Sequence, residues 1–170
     1  MSDIIKNSLK RKILFCIVGT ENTGKTSIIK KIYDLYKNNA SFKSTCLNYL
    51  GNKNSDFSDV FNLNINNINI TIGILSAGDE KITIDKELQK FINCDYIICV
   101  SRTKGNTKEV IETFANTNEF VLRQINKSYF WKTYITQKYK SITANEEHYL
   151  NDFFSKLLYS LINEYIKGII

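Results

Sequence analysis

Apolar residues along the chain fall into two periodicities that alternate from segment to segment. Lys12-Ile13-Leu14-Phe15-Cys16-Ile17-Val18 is a short apolar run rich in β-formers, the pattern of a buried parallel strand. Residues 27–37 instead repeat Ile28, Ile29, Ile32, Leu35 and Tyr36 at the spacing of an amphipathic helix. Between 60 and 75, Phe61, Leu63 and Ile65 alternate with polar residues, Asn66-Asn67 breaks the run, and Ile68, Ile70, Ile72 and Ile74 alternate again. This predicts an antiparallel hairpin with Asn62, Asn64, Asn69 and Thr71 facing outward. Helical spacing returns over 84–92, Asp95-Tyr96-Ile97-Ile98-Cys99-Val100 reads as a second buried strand, and a helix over 108–116 precedes a strand over 120–125. The polar segment 38–58 reads as a long loop. Residues 129–139 are rich in aromatics and fit a strand, a short helix or a partner surface.

The last helix is announced by a capping box, Thr143-Ala144-Asn145-Glu146. Leu150, Phe153, Phe154, Leu157, Leu158, Leu161 and Tyr165 mark its broad apolar face, which we assign to the core, and Gly168 ends it. Strands that alternate with helices predict an α/β fold: a mostly parallel sheet with one antiparallel hairpin strand and helices on both faces. Residues 1–170 are expected to form one domain.

Composition narrows the class. The chain has 170 residues, 43% of them hydrophobic and 12% aromatic, as in a globular protein. It has no apolar run of bilayer length, and the charged first dozen residues lack a signal peptide's apolar centre; a soluble, cytoplasmic protein is expected. Cys16, Cys46, Cys94 and Cys99 show no C-x-x-C pairing and are expected to be reduced core residues. The net charge is +6, but the lysines come with many Asn and Ile residues and no proline, a bias that resembles A/T-rich coding. Between 102 and 140, eight basic residues face three acidic ones; a solvated surface with some attraction for phosphate is the reading preferred to a nucleic-acid site.

The chemistry sits between the first strand and the first helix. Gly19-Thr20-Glu21-Asn22-Thr23-Gly24-Lys25-Thr26 fits the phosphate-loop pattern G-x-x-x-x-G-K-[ST], in the strand, loop, helix order that this pattern requires. Glycines allow a tight loop whose N–H groups converge on phosphate, and the helix that begins near Ser27 adds the positive end of its dipole. Lys25 would reach the β- and γ-phosphates, and the Thr26 hydroxyl would hold Mg²⁺. A nucleoside triphosphate is the ligand this implies.

An antiparallel hairpin directly after the first helix is not the pattern of nucleotide kinases. The chain resembles the small Ras-like GTPases of the P-loop NTPase superfamily, which implies a three-layer P-loop fold. The phosphate loop through Ser27 matches; Ser76-Ala77-Gly78-Asp79-Glu80 resembles the family's switch segment Thr-Ala-Gly-Gln-Glu. Asn126-Lys127 falls where the family reads guanine, and Thr143-Ala144-Asn145 resembles its Ser-Ala-Lys loop. Two acids of the family pattern are replaced. Leu75 stands where an Asp orients Mg²⁺, and Tyr129 where an Asp accepts two hydrogen bonds from guanine.

These substitutions leave ATP and GTP both open. Asp79 takes the place of the family's water-positioning Gln, so it either orients water or caps the following helix. Arg102, at the carboxyl end of a parallel strand, is a candidate for γ-phosphate charge or a solvated loop arginine; His148 receives no role. The expected function is Mg²⁺-dependent binding and slow hydrolysis of a purine nucleoside triphosphate, as a switch acting on a protein partner. The alternatives are a small-molecule or nucleotide kinase, with Arg102 and Lys104 on the phosphates, and a non-catalytic nucleotide-binding module.

Overall fold

The computed structural model describes residues 11–20, 23–50, 56–65, 67–78, 80–127 and 144–167. β1 (Ile13–Gly19) is buried along its whole length because it lies between two parallel neighbours, β6 (Tyr96–Arg102) and β7 (Val121–Asn126). β6 pairs in parallel with β5 (Ile68–Leu75), which pairs antiparallel with β4 (Asp56–Ile65). Asn67 turns that hairpin with a φ of 66°, a left-handed conformation that asparagine tolerates. Two short strands, β2 (Phe42–Ser44) and β3 (Asn48–Leu50), follow one another along the other edge of β4. All seven strands form one mixed sheet, in which β4 alone runs against the rest.

Alternation along the central strands sorts the core into two halves. Ile13, Phe15 and Ile17 share one face with the buried residues of α1 (Lys25–Lys37) and α4 (Ala144–Lys167). Leu14, Cys16 and Val18 pack on the other side with α2 (Lys81–Gln89) and α3 (Asn106–Thr117). Each face of the sheet is therefore apolar and each is covered by a helix pair, the arrangement that keeps a parallel sheet dry.

Three expectations need correction. Segment 38–58 is not one loop: it holds β2, β3 and the start of β4. Three-residue strands are too short to display a period of two, and what holds them is specific. The Phe42 ring sits 4.8 Å from Tyr36, while the buried Asp59 carboxylate accepts from Ser44 Oγ at 2.6 Å and Cys46 N at 3.2 Å. Second, α2 starts earlier than the apolar spacing suggested and stops at Gln89. Phe91 continues past it into the core, its ring so close that a Cβ on Gly73 would lie 2.7 Å from Cγ.

Third, the apolar surface of α4 is divided. Phe154, Leu158, Ile162 and Ile166 are buried, whereas Phe153, Leu157, Leu161 and Tyr165 are exposed, as is Tyr149. One helix seated on a sheet buries a single stripe, and the expected face was wider than that. Among the cysteines, Cys16, Cys94 and Cys99 are buried but Cys46 is exposed. Burial with Asp95 nearby pushes the Cys94 thiol up to about 12. No helix among the described residues is long and apolar enough to cross a membrane. Residues 129–139, Thr143 and Gly168 lie outside the described residues.

Candidate functional site

β1 delivers the chain to the carboxyl edge of the sheet at Gly19, and α1 departs from Gly24. The N-cap of α1 is Gly24 itself, with φ 71° and ψ 20°, no side-chain capping bond and no acidic residue in the first turn. The first N–H groups of a helix have no acceptor within it, and its positive dipole end lies there. No carboxylate of that turn neutralises either.

Gly24 is required by its left-handed conformation and by its neighbours. A Cβ there would lie 2.8 Å from Asn151 Nδ2 and 3.1 Å from Lys127 Nζ. A Cβ on Gly19 would lie 2.8 Å from Thr23 Oγ1, the hydroxyl that donates to the Thr20 carbonyl at 2.8 Å. Lys25 Nζ donates to the same carbonyl at 2.6 Å. The loop thus closes on Thr20 oxygen, with the Lys25 side chain folded back over it and only 7% of the residue exposed. Thr26 is half-buried and Ser27 exposed, both in the first turn; Glu21 and Asn22 lie outside the described residues.

A second ammonium arrives from β7. Lys127, directly after the strand, is 1% exposed, and its Nζ donates to Asn151 Oδ1 at 2.8 Å. Burial pushes this ammonium down to about 8; the Lys25 charge acts in the same direction, and Glu147 opposes both. Asn126, one residue earlier, pairs in register with Val18 and is exposed. Arg102 lies opposite Gly19 in the β1–β6 ladder, half-exposed. The fold therefore brings Gly19, Thr20, Thr23, Gly24, Lys25, Lys127 and Arg102 to one end of the sheet.

The turn after β5 is different in kind. Leu75 is wholly buried among Leu14, Val18, Ile97 and Cys99. Ser76 is tied to β4, its N–H donating to Phe57 O at 2.9 Å and its hydroxyl accepting from Phe57 N at 2.7 Å. Gly78 lies against β6, where a Cβ would be 2.7 Å from Val100 Cγ2 and 3.2 Å from the Val100 carbonyl oxygen. Asp79 lies outside the described residues. No group of three or more His, Cys, Asp and Glu side chains that could hold a metal ion occurs among the described residues.

Sequence reasoning missed Asn151 and Ser155. Both are buried on α4, and the Ser155 hydroxyl donates to Asn151 O at 2.5 Å and Ile28 O at 3.3 Å. The signal was present: two small polar residues four apart, in line with Phe154 and Leu158, are placed to face inward. Chemically the site is a compact positive cradle with a glycine floor, suited to a polyanion. No family model matches the chain, and no curated protein matches it.

Proposed function

We propose that this chain binds the phosphates of a purine nucleoside triphosphate in the Gly19–Ser27 loop of a three-layer P-loop fold, and that nucleotide state sets a surface read by a protein partner. The observation that carries the proposal is the left-handed Gly24 between a buried strand and an uncapped helix, with Lys25 folded over the loop. Converging N–H groups and a lysine point charge are what a β,γ-phosphate pair needs. On this reading Lys25 leaves Thr20 oxygen when phosphate offers a charged acceptor, because an anionic oxygen adds charge–charge attraction that the neutral carbonyl lacks.

The residues present fit the triphosphate better than they fit a protein-held metal. Thr26, half-buried in the first turn, would offer Mg²⁺ its hydroxyl, but a core leucine stands where the resemblance expects the carboxylate that would orient the ion's water. The Thr26 hydroxyl would then be the one protein oxygen offered to a Mg²⁺ held mainly by the phosphates. When bound it would draw off charge from the phosphates. The described residues otherwise bind and orient, and hydrolysis on this reading is slow. Asn126 offers the base an exposed amide and Tyr129 replaces the guanine-reading acid, so discrimination between ATP and GTP is expected below about a hundredfold.

Partner recognition is drawn to the edge beside the 76–80 turn. Tyr49 is 64% exposed and Ile82 82% exposed, and a cleft of about 650 Å³ lined by Leu50, Asp56, Ala77 and Glu87 lies there. Large apolar side chains left in solvent beside a cleft suit a protein contact. The buried Leu75 favours a second reading, a module that binds nucleotide without cleaving it.

Calorimetric titration with Mg²⁺-ATP and Mg²⁺-GTP tests the proposal. Saturable binding is expected, with Lys25→Ala weakening it by on the order of a hundredfold, the loss of one desolvated charge contact. Equal affinity in the variant would remove the phosphate-loop assignment. Phosphate release by the parent above the Lys25→Ala background separates the switch from the module.

A further inference from the structure

We propose that Asn151 is a positioning residue of the phosphate site: its amide ties the Lys127 ammonium and the Gly24 turn to the last helix, so that the loop's charge and shape depend on α4. The inference rests on the phosphate-binding reading and names a component outside the phosphate-loop motif.

Asn151 is 5% exposed and makes contacts on three sides. Oδ1 accepts the Lys127 hydrogen bond at 2.8 Å, which fixes the orientation of the amide because an ammonium can only donate. Nδ2 then faces the loop, 2.8 Å from where a Gly24 Cβ would stand. The backbone carbonyl accepts Ser155 Oγ at 2.5 Å, and that hydroxyl also reaches Ile28 O of α1 at 3.3 Å. One polar column therefore runs from Lys127 through α4 to α1, with the Asn151 amide packed against Gly24 of the loop.

The side-chain type matters here. A leucine of similar bulk would remove an acceptor from a buried ammonium, at the desolvation cost of that charge. An aspartate would supply an acceptor but cancel the positive charge that a polyanion seeks. A neutral amide orients the ammonium while sparing its charge. Among the described residues, the charged groups that act on Lys127 include Lys25 from α1 and Glu147 from α4. A bound polyphosphate beside Gly24 adds negative charge and is expected to hold Lys127 protonated to higher pH.

The test uses the full chain, ¹³C-labelled at lysine, with the Lys127 Cε resonance identified by its loss in Lys127→Arg. Its titration midpoint is followed with and without tripolyphosphate, whose binding is measured calorimetrically. In the parent, tripolyphosphate raises the midpoint. Asn151→Ala is expected to lower the free-protein midpoint by about half a pH unit or more, and to weaken tripolyphosphate by on the order of tenfold, the value of one charge-assisted hydrogen bond. Asn151→Asp, unchanged in size, raises the midpoint yet also weakens tripolyphosphate, and it carries the test alone should the alanine variant fail to fold. Opposite midpoint shifts with a shared loss of binding are not produced by a packing defect. Midpoints unmoved in the folded variants, or parental affinity in them, would overturn the role of Asn151 while leaving the phosphate site standing. Failure of the parent to bind either tripolyphosphate or nucleotide would overturn the phosphate reading, and this inference with it.

Discussion

The Gly19–Ser27 loop and the turn at 75–80 stand at the carboxyl ends of adjoining parts of one sheet, yet they are built by opposite rules. At the loop, polar groups crowd a glycine floor: Lys25 and Thr23 converge on one carbonyl, and Lys127 and Asn151 approach Gly24 so closely that a methyl would not fit. At the turn, among the described residues, hydrocarbon packs around one buried hydroxyl, Ser76, which is tied to β4. Leu75 is sealed in the core and Gly78 presses on Val100. A buried ammonium such as Lys127 costs free energy unless something compensates, whereas a buried leucine stabilises the fold without help. Among the described residues, buried positive charge is gathered at the loop and not at the turn, which is the distribution that the proposed phosphate site needs.

The sharpest way to break that comparison is Leu75→Asp, which installs the acid that the Ras-like resemblance expects. If the turn is packing, an ionisable group replaces a fully buried leucine and stability falls by about 3–5 kcal/mol, read as a large drop in melting temperature. A variant that melts like the parent and gains Mg²⁺-stimulated phosphate release would show a latent metal position, and the contrast between the regions would fail.

Gly24→Ala should have the next largest effect, on the other region. The φ of 71° costs a non-glycine residue about 1–2 kcal/mol, before the Asn151 and Lys127 contacts are displaced. Melting temperature should fall moderately, and nucleotide affinity by more than stability alone explains. Alanine accepted with full affinity would mean that the close approach of α4 to the loop has no bearing on binding.

How much of this was legible in the sequence follows the same division. β1 was readable as an unbroken apolar run of β-formers, the hairpin and α1 because each repeats one period several times, and the loop because its glycines and lysine sit at fixed offsets. Nothing in local pattern could announce β2 and β3, which exist because β4 offers them an edge and Asp59 pins the connection between them. The core assignment of Phe153, Leu157 and Leu161 failed because a wide apolar face does not say which of its stripes the sheet will cover, while Tyr165 still sets its ring against Phe15 at 5.6 Å. Asn151 escaped because its partners, Gly24 and Lys127, are distant in sequence, and only the packed helix brings them together.

A smaller effect is expected from pH, and its sign can be worked out. Lys127 has its folded-state pKa pushed down to about 8 from 10.5. Below about pH 8 it is charged whether the chain is folded or not, and the folded state bears the full desolvation penalty. Between about 8 and 10.5 the unfolded chain binds more protons, so this group's contribution to stability rises with pH. Lys127→Met should therefore melt above the parent at pH 7, with a gap that narrows as pH climbs past 8. Taking the difference between the two proteins cancels the cysteines, which titrate nearby with the opposite sign because Cys94 and Cys99 are raised. Triphosphate affinity should run the other way in the parent, falling up to tenfold per pH unit above about 8, or about 1.4 kcal/mol, as the ammonium is lost. A gap independent of pH would mean that Lys127 titrates alike in the folded and unfolded chain, so that burial does not depress it.

The smallest expected effect concerns Arg102, which borders the loop without joining its packed floor. It is opposite Gly19 in the ladder but half-exposed, and a solvated charge near a polyanion acts through water and salt. Arg102→Ala is therefore expected to weaken triphosphate binding by about threefold, within the 1 kcal/mol or less that exposed charge pairs are worth. Since the Debye length shrinks from about 10 Å at 0.1 M salt to about 3 Å at 1 M, the difference from the parent should fade across that range. Lys25→Ala should keep most of its deficit there, because a contact made in a dry loop is screened much less. A loss beyond about thirtyfold that persists in high salt would place the guanidinium directly on the phosphates. Arg102 would then belong to the electrostatic cradle, and the boundary drawn between the glycine loop and its surroundings would have to move outward to include the end of β6.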